Sequence, residues 1–133
     1  MPHAPITVED ELGRAICERC AVADRPLARL RGLLGRRTLE RGEGLLIRPA
    51  PSVHTWFMRF PIDVVLLDRD GRVLAVRPEM GPWRVAGCRG ARAVLELPAG
   101  EVARRGLAPG ARLSPVTSSP ARERARTEAP RAA

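Results

Sequence analysis

Short apolar runs separated by proline, glycine and aspartate fill the sequence after Gly44, and they constrain the fold more than any other feature. Runs of this length, with turn residues between them, are typical of strands in β-sandwiches and small barrels. We therefore predict a mainly β fold with one or two short helices, either a small β-sandwich of jelly-roll type or a partly closed barrel. The predicted strands are Leu45–Ile47, Val53–Met58, Ile62–Leu67, Val73–Val76 and Ala93–Leu97.

Turn and helix signals predict the remaining elements. Asp68-Arg69-Asp70-Gly71 is typical of a tight hairpin turn, because glycine takes a positive φ without strain. Asp24 is a suitable N-cap for a helix that presents a leucine face and ends near Gly35. We also expect a strand over 14–23, a second short helix over 100–105 and a last strand over 112–116.

These elements fall into one domain. We assign residues 14–116 to a single β-rich domain and residues 1–13 to a loose N-terminal arm. From Thr117 onward the chain consists mainly of Ser, Pro, Ala, Arg and Glu. Such a segment has too little apolar surface to offset its ordering entropy, so we predict a disordered tail over 117–133.

The formal net charge of +8 raises the question of nucleic-acid binding. The 23 basic residues are all arginine, which indicates a genome-wide base composition more than selection for phosphate contacts. Stacking aromatic residues are also scarce, so we disfavour nucleic acid as a partner. The apolar runs are too short for a membrane span, and the N-terminus lacks the pattern of a secretory signal. We expect a soluble, cytoplasmic monomer.

Three cysteines, Cys17, Cys20 and Cys88, favour a reducing compartment, since an odd number does not suit a disulfide framework. The spacing of Cys17 and Cys20 invites a test for zinc. On a regular strand, residues three apart point to opposite faces, and further ligands are scarce. We therefore interpret both as small core residues and expect no metal and no cofactor.

Two carboxylates lie in apolar strands and therefore require partners. Asp63 follows Ile62 in the predicted strand Ile62–Leu67, and Glu96 lies between two leucines. A buried carboxylate must be paired, hydrogen-bonded or neutral. Arg31 and Arg36, on or beside the first predicted helix, are the candidate partners.

Two interpretations of these charges stay open. The commoner one is structural, with ion pairs that join the helix to the sheet. The alternative is a polar pocket in which His54, Thr55, Asp63, Glu96 and an arginine bind a small ligand or perform acid–base chemistry. The sequence contains neither a defensible catalytic triad nor a phosphate-binding loop, so we assign no catalytic residue.

Several blocks, in this order and spacing, resemble the domain of unknown function 192 family (DUF192) over about residues 14–113. The blocks are Arg31-Gly32-Leu33-Leu34-Gly35-Arg36, Gly44-Leu45-Leu46, His54-Thr55, Met58, Pro61-Ile62-Asp63-Val64-Val65-Leu66-Leu67-Asp68, Asp70-Gly71 and Leu95-Glu96-Leu97-Pro98-Ala99-Gly100. The resemblance implies a β-rich sandwich or jelly roll with short helices, and no established activity. It also implies family-typical positions at Arg31, Arg36, Met58, Asp63 and Glu96.

We therefore predict an accessory or ligand-binding β domain for a small polar ligand. The candidate ligand-binding residues are Arg31, Arg36, His54, Met58, Asp63 and Glu96. One alternative is a hydrolase-like or lyase-like enzyme that uses Asp63 or Glu96 as its acid or base. A second alternative is a protein-assembly factor that binds a protein partner through its arginine-rich helix.

Overall fold

A computed structural model describes residues 5–24, 38–56 and 58–116 of the chain. Within them lie nine strands and one helix. The strands are β1 (Ile6–Asp10), β2 (Ala15–Ala23), β3 (Glu43–Ile47), β4 (Ser52–His54), β5 (Ile62–Leu67), β6 (Val73–Met80), β7 (Val85–Gly87), β8 (Ala93–Pro98) and β9 (Leu113–Val116). The helix, α1, spans Glu101–Arg104.

Seven of these strands form one sheet in the order β6-β5-β8-β3-β2-β1-β9, and β4 and β7 form a separate two-stranded sheet. The pair β2–β3 is parallel and every other pair is antiparallel. Strands β5 and β8 are therefore adjacent in the sheet although two other strands separate them in sequence. Their positions bring Asp63 and Glu96 into neighbouring strands.

The large sheet curls until its two edges approach each other. An isolated antiparallel bridge joins Arg72, just before β6, to Arg112, just before β9. The backbone N–H of Leu113 donates to the carbonyl of Gly71 at 2.8 Å. In the described part of the chain the edges meet around this bridge and do not pair along their length, so the sheet is not closed into a barrel, and the mainly β prediction is confirmed.

Each face of the large sheet packs against a buried core. The inner core, enclosed by the curl, consists of Val8, Ile16, Cys17, Cys20, Leu46, Val65, Leu67, Val73, Leu95, Leu97, Val102, Leu107 and Leu113. The outer core, on the side of the two-stranded sheet, consists of Ala23, Leu39, Leu45, Ile47, Ala50, Met58, Ile62, Val64, Leu66, Ala86, Ala91 and Val94. Strand β5 supplies both cores, which is why all six of its residues are buried.

Helix α1 lies at the end of the curled sheet where β5 begins and β8 ends. Its Val102, together with Leu107 after it, packs into the inner core. The helix starts after Gly100, whose φ of 93° is accessible to glycine at little cost. The second short helix predicted from the sequence is therefore present.

Most predicted strands appear with extended or shortened bounds. Strand β5 coincides with the predicted run, whereas β6 continues to Met80 and β4 ends at His54 instead of Met58. The β4 prediction was wrong because Thr55 leaves the sheet and receives a backbone hydrogen bond from Met58. The apolar run therefore forms a strand and then a turn.

The predicted loose arm was wrong for residues 6–10, which form β1 between β2 and β9. The carboxylate of Asp10 is satisfied locally, since it accepts hydrogen bonds from the backbone N–H of Leu12 and from the backbone and side chain of Arg14. The helix predicted after Asp24 and the tail predicted from Thr117 lie outside the described residues.

Candidate functional site

Asp63 is completely buried in β5 and lies on the inner face of the sheet. Its Oδ1 accepts a hydrogen bond from the backbone N–H of Glu79 at 2.8 Å. Its Oδ2 accepts two more, from Gly100 at 3.1 Å and Val102 at 2.8 Å. These three donors satisfy a carboxylate that apolar neighbours cannot satisfy.

The donors show what Asp63 does in the fold. Two of them belong to the first turn of α1, where backbone N–H groups have no partner within the helix. The third belongs to Glu79, whose φ of 52° is unusual for a residue other than glycine. Asp63 therefore holds β6 and the start of α1 against β5 through backbone hydrogen bonds, whereas the predicted ion pair with Arg31 or Arg36 concerns residues outside the described ranges.

Glu96 is also buried, with 3% of its surface exposed, but it lies on the outer face. In the sheet it stands between Leu45 of β3 and Val64 of β5, and both belong to the outer core. Its Oε2 has no hydrogen-bond partner among the described residues. Burial raises the pKa of Glu96 to about 8, so the carboxyl group is protonated in most molecules at neutral pH.

Asp63 and Glu96 do not share a pocket. Directly opposite residues of antiparallel strands share a face, and Asp63 is opposite Leu97 while Glu96 is opposite Val64. The register between β5 and β8 therefore sends the two carboxylates to opposite sides of the sheet. The polar pocket in which both would converge does not form.

Met58 is buried in the outer core, on the same side of the sheet as Glu96. His54 is exposed at the end of β4, and its ring lies 4.9 Å from the ring of Trp56. Its Nδ1 accepts a hydrogen bond from the backbone N–H of Trp56 at 3.3 Å. The structure thus places Met58 near the face that carries Glu96 and His54 at the surface of the two-stranded sheet.

Thr55 has a structural role that the sequence did not reveal. Its side chain is completely buried, donates to the carbonyl of Gly81 at 2.6 Å and accepts from the backbone N–H of Arg84 at 2.9 Å. The backbone N–H of Trp83 also donates to the Thr55 carbonyl at 3.1 Å. Thr55 therefore fixes the loop between β6 and β7 against the end of β4.

The proposed arginine partners, Arg31 and Arg36, lie outside the described residues. Another arginine joins helix and sheet in the described part. Arg105, at the end of α1, donates to both carboxylate oxygens of Glu18 at 2.8 Å and to Glu101 at 3.1 Å. The hydrogen bonds from Arg105 hold the pKa of Glu18 below its usual range. The sequence predicted this type of contact but not the residues that make it.

Cys17 and Cys20 are core residues, as the sequence indicated, but they do not point to opposite faces, because both contribute to the inner core. They pair with Val8 and Ile6 of β1, which share one face, and an extra residue in β2 forms a β-bulge between the two pairs. The hydrogen bond with Cys17 and burial raise the pKa of the Cys20 thiol. Among the described residues, no group of three or more Cys, His, Asp and Glu side chains could hold a metal ion.

The fold and these positions agree with a family assignment. Residues 7–115 match DUF192, which is described as an uncharacterized ACR. The chain belongs to the DUF192 family. The match covers the large sheet except for its terminal residues Ile6 and Val116, and the family is described as uncharacterized.

Solved structures with similar folds extend the comparison. A protein of unknown function from Novosphingobium aromaticivorans is 24% identical, with a TM-score of 0.72 over 86% of this chain and 92% of that one. A Sinorhizobium meliloti protein titled "putative transcription regulator" is 26% identical, with a TM-score of 0.73 over 84% and 92% of the two chains. No curated protein matches this DUF192 chain.

The length and apolar character of a helix decide whether it can span a membrane. None of the helices in the described ranges is long and apolar enough to cross a bilayer.

Proposed function

We propose that this DUF192 domain binds a small polar ligand through Glu96. The observation that carries the proposal is the buried Oε2 of Glu96, which lacks a hydrogen-bond partner among the described residues. An unsatisfied buried polar group costs about 1–3 kcal/mol of stability. A ligand that donates a hydrogen bond to this oxygen would recover that free energy.

The surroundings of Glu96 define the kind of ligand. Leu45 and Val64 stand on either side of Glu96 in the sheet, and Met58 belongs to the same outer core. The ligand therefore has one donor group, such as an amine, a guanidinium or a hydroxyl, on a compact apolar body. A cationic donor would favour the ionised carboxylate, so its binding would release a proton from Glu96 below pH 8.

Acid–base catalysis is the second candidate function, and the pKa of Glu96 favours it. A general acid or base works best when its pKa is near the working pH, and about 8 meets that condition. Glu96 would be the reacting group, because the three backbone donors on Asp63 occupy that carboxylate. The third hypothesis, a protein-assembly factor that docks through the arginine-rich helix, concerns residues outside the described ranges.

The experiment is a thermal-unfolding screen of the full chain against small amines, guanidinium compounds, sugars and nucleosides. We compare the wild type with Glu96→Gln and Glu96→Leu, and with Glu79→Gln as a control that changes an exposed carboxylate. A ligand raises the melting temperature of the wild type and of the control, and Glu96→Leu no longer responds.

Two outcomes separate the hypotheses. Turnover that disappears in Glu96→Gln while binding persists identifies an enzyme. If no compound shifts the wild type and Glu96→Leu is simply more stable, the carboxyl is an unused core residue and the proposal fails.

A cytoplasmic location is part of the same proposal. It rests on Cys17, Cys20 and Cys88, which are free thiols in the structure, since free thiols persist in reducing compartments. Localisation of a tagged full-length protein tests this expectation directly.

A further inference from the structure

The end of the curled sheet opposite α1 contains a hollow of about 240 Å³. Its apolar wall comes from inner-core residues, including Val8, Leu46, Leu67 and Leu113. Typical pockets for drug-sized ligands are about 300–1,000 Å³ and are lined mainly by apolar side chains. A hollow slightly below that range suits a compact metabolite.

Three arginines lie at the same end of the sheet as this hollow. Arg48 follows the last residue of β3, Arg92 precedes β8, and Arg69 lies in the turn after β5. Since β8 lies between β3 and β5 in the sheet, the three positions meet at the same end of adjacent strands. A groove of about 560 Å³, lined by all three arginines, adjoins the hollow and shares Arg48, Asp68, Arg69 and Ala93 with it.

The charges around the groove are unbalanced. None of the three guanidinium groups forms an ion pair with a described residue, whereas Arg14, Arg104 and Arg105 all do. Two carboxylates, Asp68 and Asp70, lie in the same walls. The Oδ1 of Asp68 already accepts hydrogen bonds from the backbone N–H groups of Asp70 at 2.8 Å and Arg72 at 2.9 Å.

We propose that this end of the sheet binds a small amphipathic anion. Its apolar part fills the hollow, and its carboxylate or phosphate oxygens lie among Arg48, Arg69 and Arg92. Guanidinium groups suit both anions because their planar N–H donors match two oxygens at once. The site opens from the inner face and is independent of Glu96, which lies on the outer face.

Calorimetric titration of the full chain with hexanoate, hexyl phosphate, hexanol, acetate and inorganic phosphate tests this site. The anions with a six-carbon chain bind at least about tenfold more tightly than acetate, phosphate or hexanol, because only they occupy both the hollow and the groove. The stronger binder of hexanoate and hexyl phosphate identifies the preferred head group.

Variants test the two halves of the site separately. Arg48→Gln and Arg92→Gln each weaken hexanoate or hexyl phosphate binding about tenfold, since each removes a charged hydrogen-bonding partner. Arg77→Gln, an exposed arginine of β6 outside the groove, has no effect. Ser114→Phe, at the exposed wall of the hollow, removes the advantage of the six-carbon chain.

Circular dichroism confirms that each variant is folded, and Glu96→Gln leaves this binding unchanged. That last result separates the anion site from the proposed function. The proposal is overturned if hexanol binds as tightly as hexanoate, or if Arg77→Gln weakens binding as much as Arg48→Gln. It is also overturned if inorganic phosphate binds as well as hexyl phosphate and Ser114→Phe has no effect.

Discussion

Asp63 shows how a single buried carboxylate can hold separate segments of a fold together. Its two oxygens accept three backbone hydrogen bonds from two other segments of the chain. Hydrogen bonds to an ionised acceptor are stronger than bonds between neutral groups. We therefore expect Asp63 to contribute to the stability of the fold.

Asp63→Asn should destabilise the protein by about 2–5 kcal/mol, because one of the two oxygens becomes an NH₂ group that faces backbone donors. Urea unfolding followed by circular dichroism measures the loss. Glu79→Gln, which leaves the Glu79 backbone donor in place, should stay within about 0.5 kcal/mol of the wild type. Equal stability of Asp63→Asn and wild type would contradict the structural role.

Glu96 should make the stability of the protein depend on pH. Its pKa in the folded protein, about 8, lies above the ordinary value of 4.5, so the folded state holds a proton that the unfolded state has lost. The contribution of Glu96 to the free energy of unfolding is therefore most favourable below pH 4.5. The free energy of unfolding then falls as the pH rises towards 8, by on the order of a few kcal/mol.

Glu96→Gln removes this titration. Melting temperatures measured from pH 5 to pH 9 should fall more steeply for the wild type than for the variant up to about pH 8, and then run parallel. Parallel curves over the whole range would show that Glu96 is ionised in the folded state.

The sequence identified both carboxylates as residues that require an explanation, because each interrupts an apolar strand. It did not predict that they lie on opposite faces. Alternation along β5 assigns Asp63 to the face of Val65, but only the β5–β8 register places Glu96 opposite Val64. That register depends on contacts between distant segments, which local periodicity does not encode.

At the level of single elements, β5 was predictable and β2 was only partly so. β5 is a regular strand in which every residue is apolar except Asp63. In β2 the bulge opposite β1 shifts the alternation by one residue and turns Cys17 and Cys20 to one face. A bulge leaves no clear trace in a single sequence, so the expectation of opposite faces was wrong, although both cysteines are core residues as interpreted.

The turn between β5 and β6 offers a test of how the sheet curls. Gly71 has a φ of 84°, and its carbonyl accepts a hydrogen bond from Leu113 at the start of β9. A Cβ atom at this position would overlap the carbonyl oxygen of Leu113. The two edges of the sheet can therefore approach only if residue 71 has no side chain.

Gly71→Ala should cost at least about 2 kcal/mol, from steric overlap and from the positive φ. Gly81→Ala is the matched control, because a Cβ there meets nothing within 4 Å and the backbone is not left-handed. Chemical denaturation compares the two variants. If both substitutions have the same small effect, the contact between the turn and β9 does not stabilise the fold.

For the whole molecule, the two cores are expected to unfold together. Strands β5 and β8 contribute side chains to the inner and the outer core alike, so neither core can lose its packing while the other keeps it. The two-stranded sheet depends on the same arrangement, since Ala86 of β7 is buried in the outer core. This shared dependence predicts a single cooperative transition, as in most small domains.

Two spectroscopic probes report on different parts of this unit. Trp56 and Trp83, the two tryptophans of the chain, lie beside the two-stranded sheet, whereas far-ultraviolet circular dichroism reports mainly on the large sheet. Urea transitions followed by tryptophan fluorescence and by circular dichroism should coincide in midpoint and slope. An earlier fluorescence transition would show that β4 and β7 detach first. In that case the outer core, and with it the surroundings of Glu96, would open while the curled sheet and its arginine-lined groove remain folded.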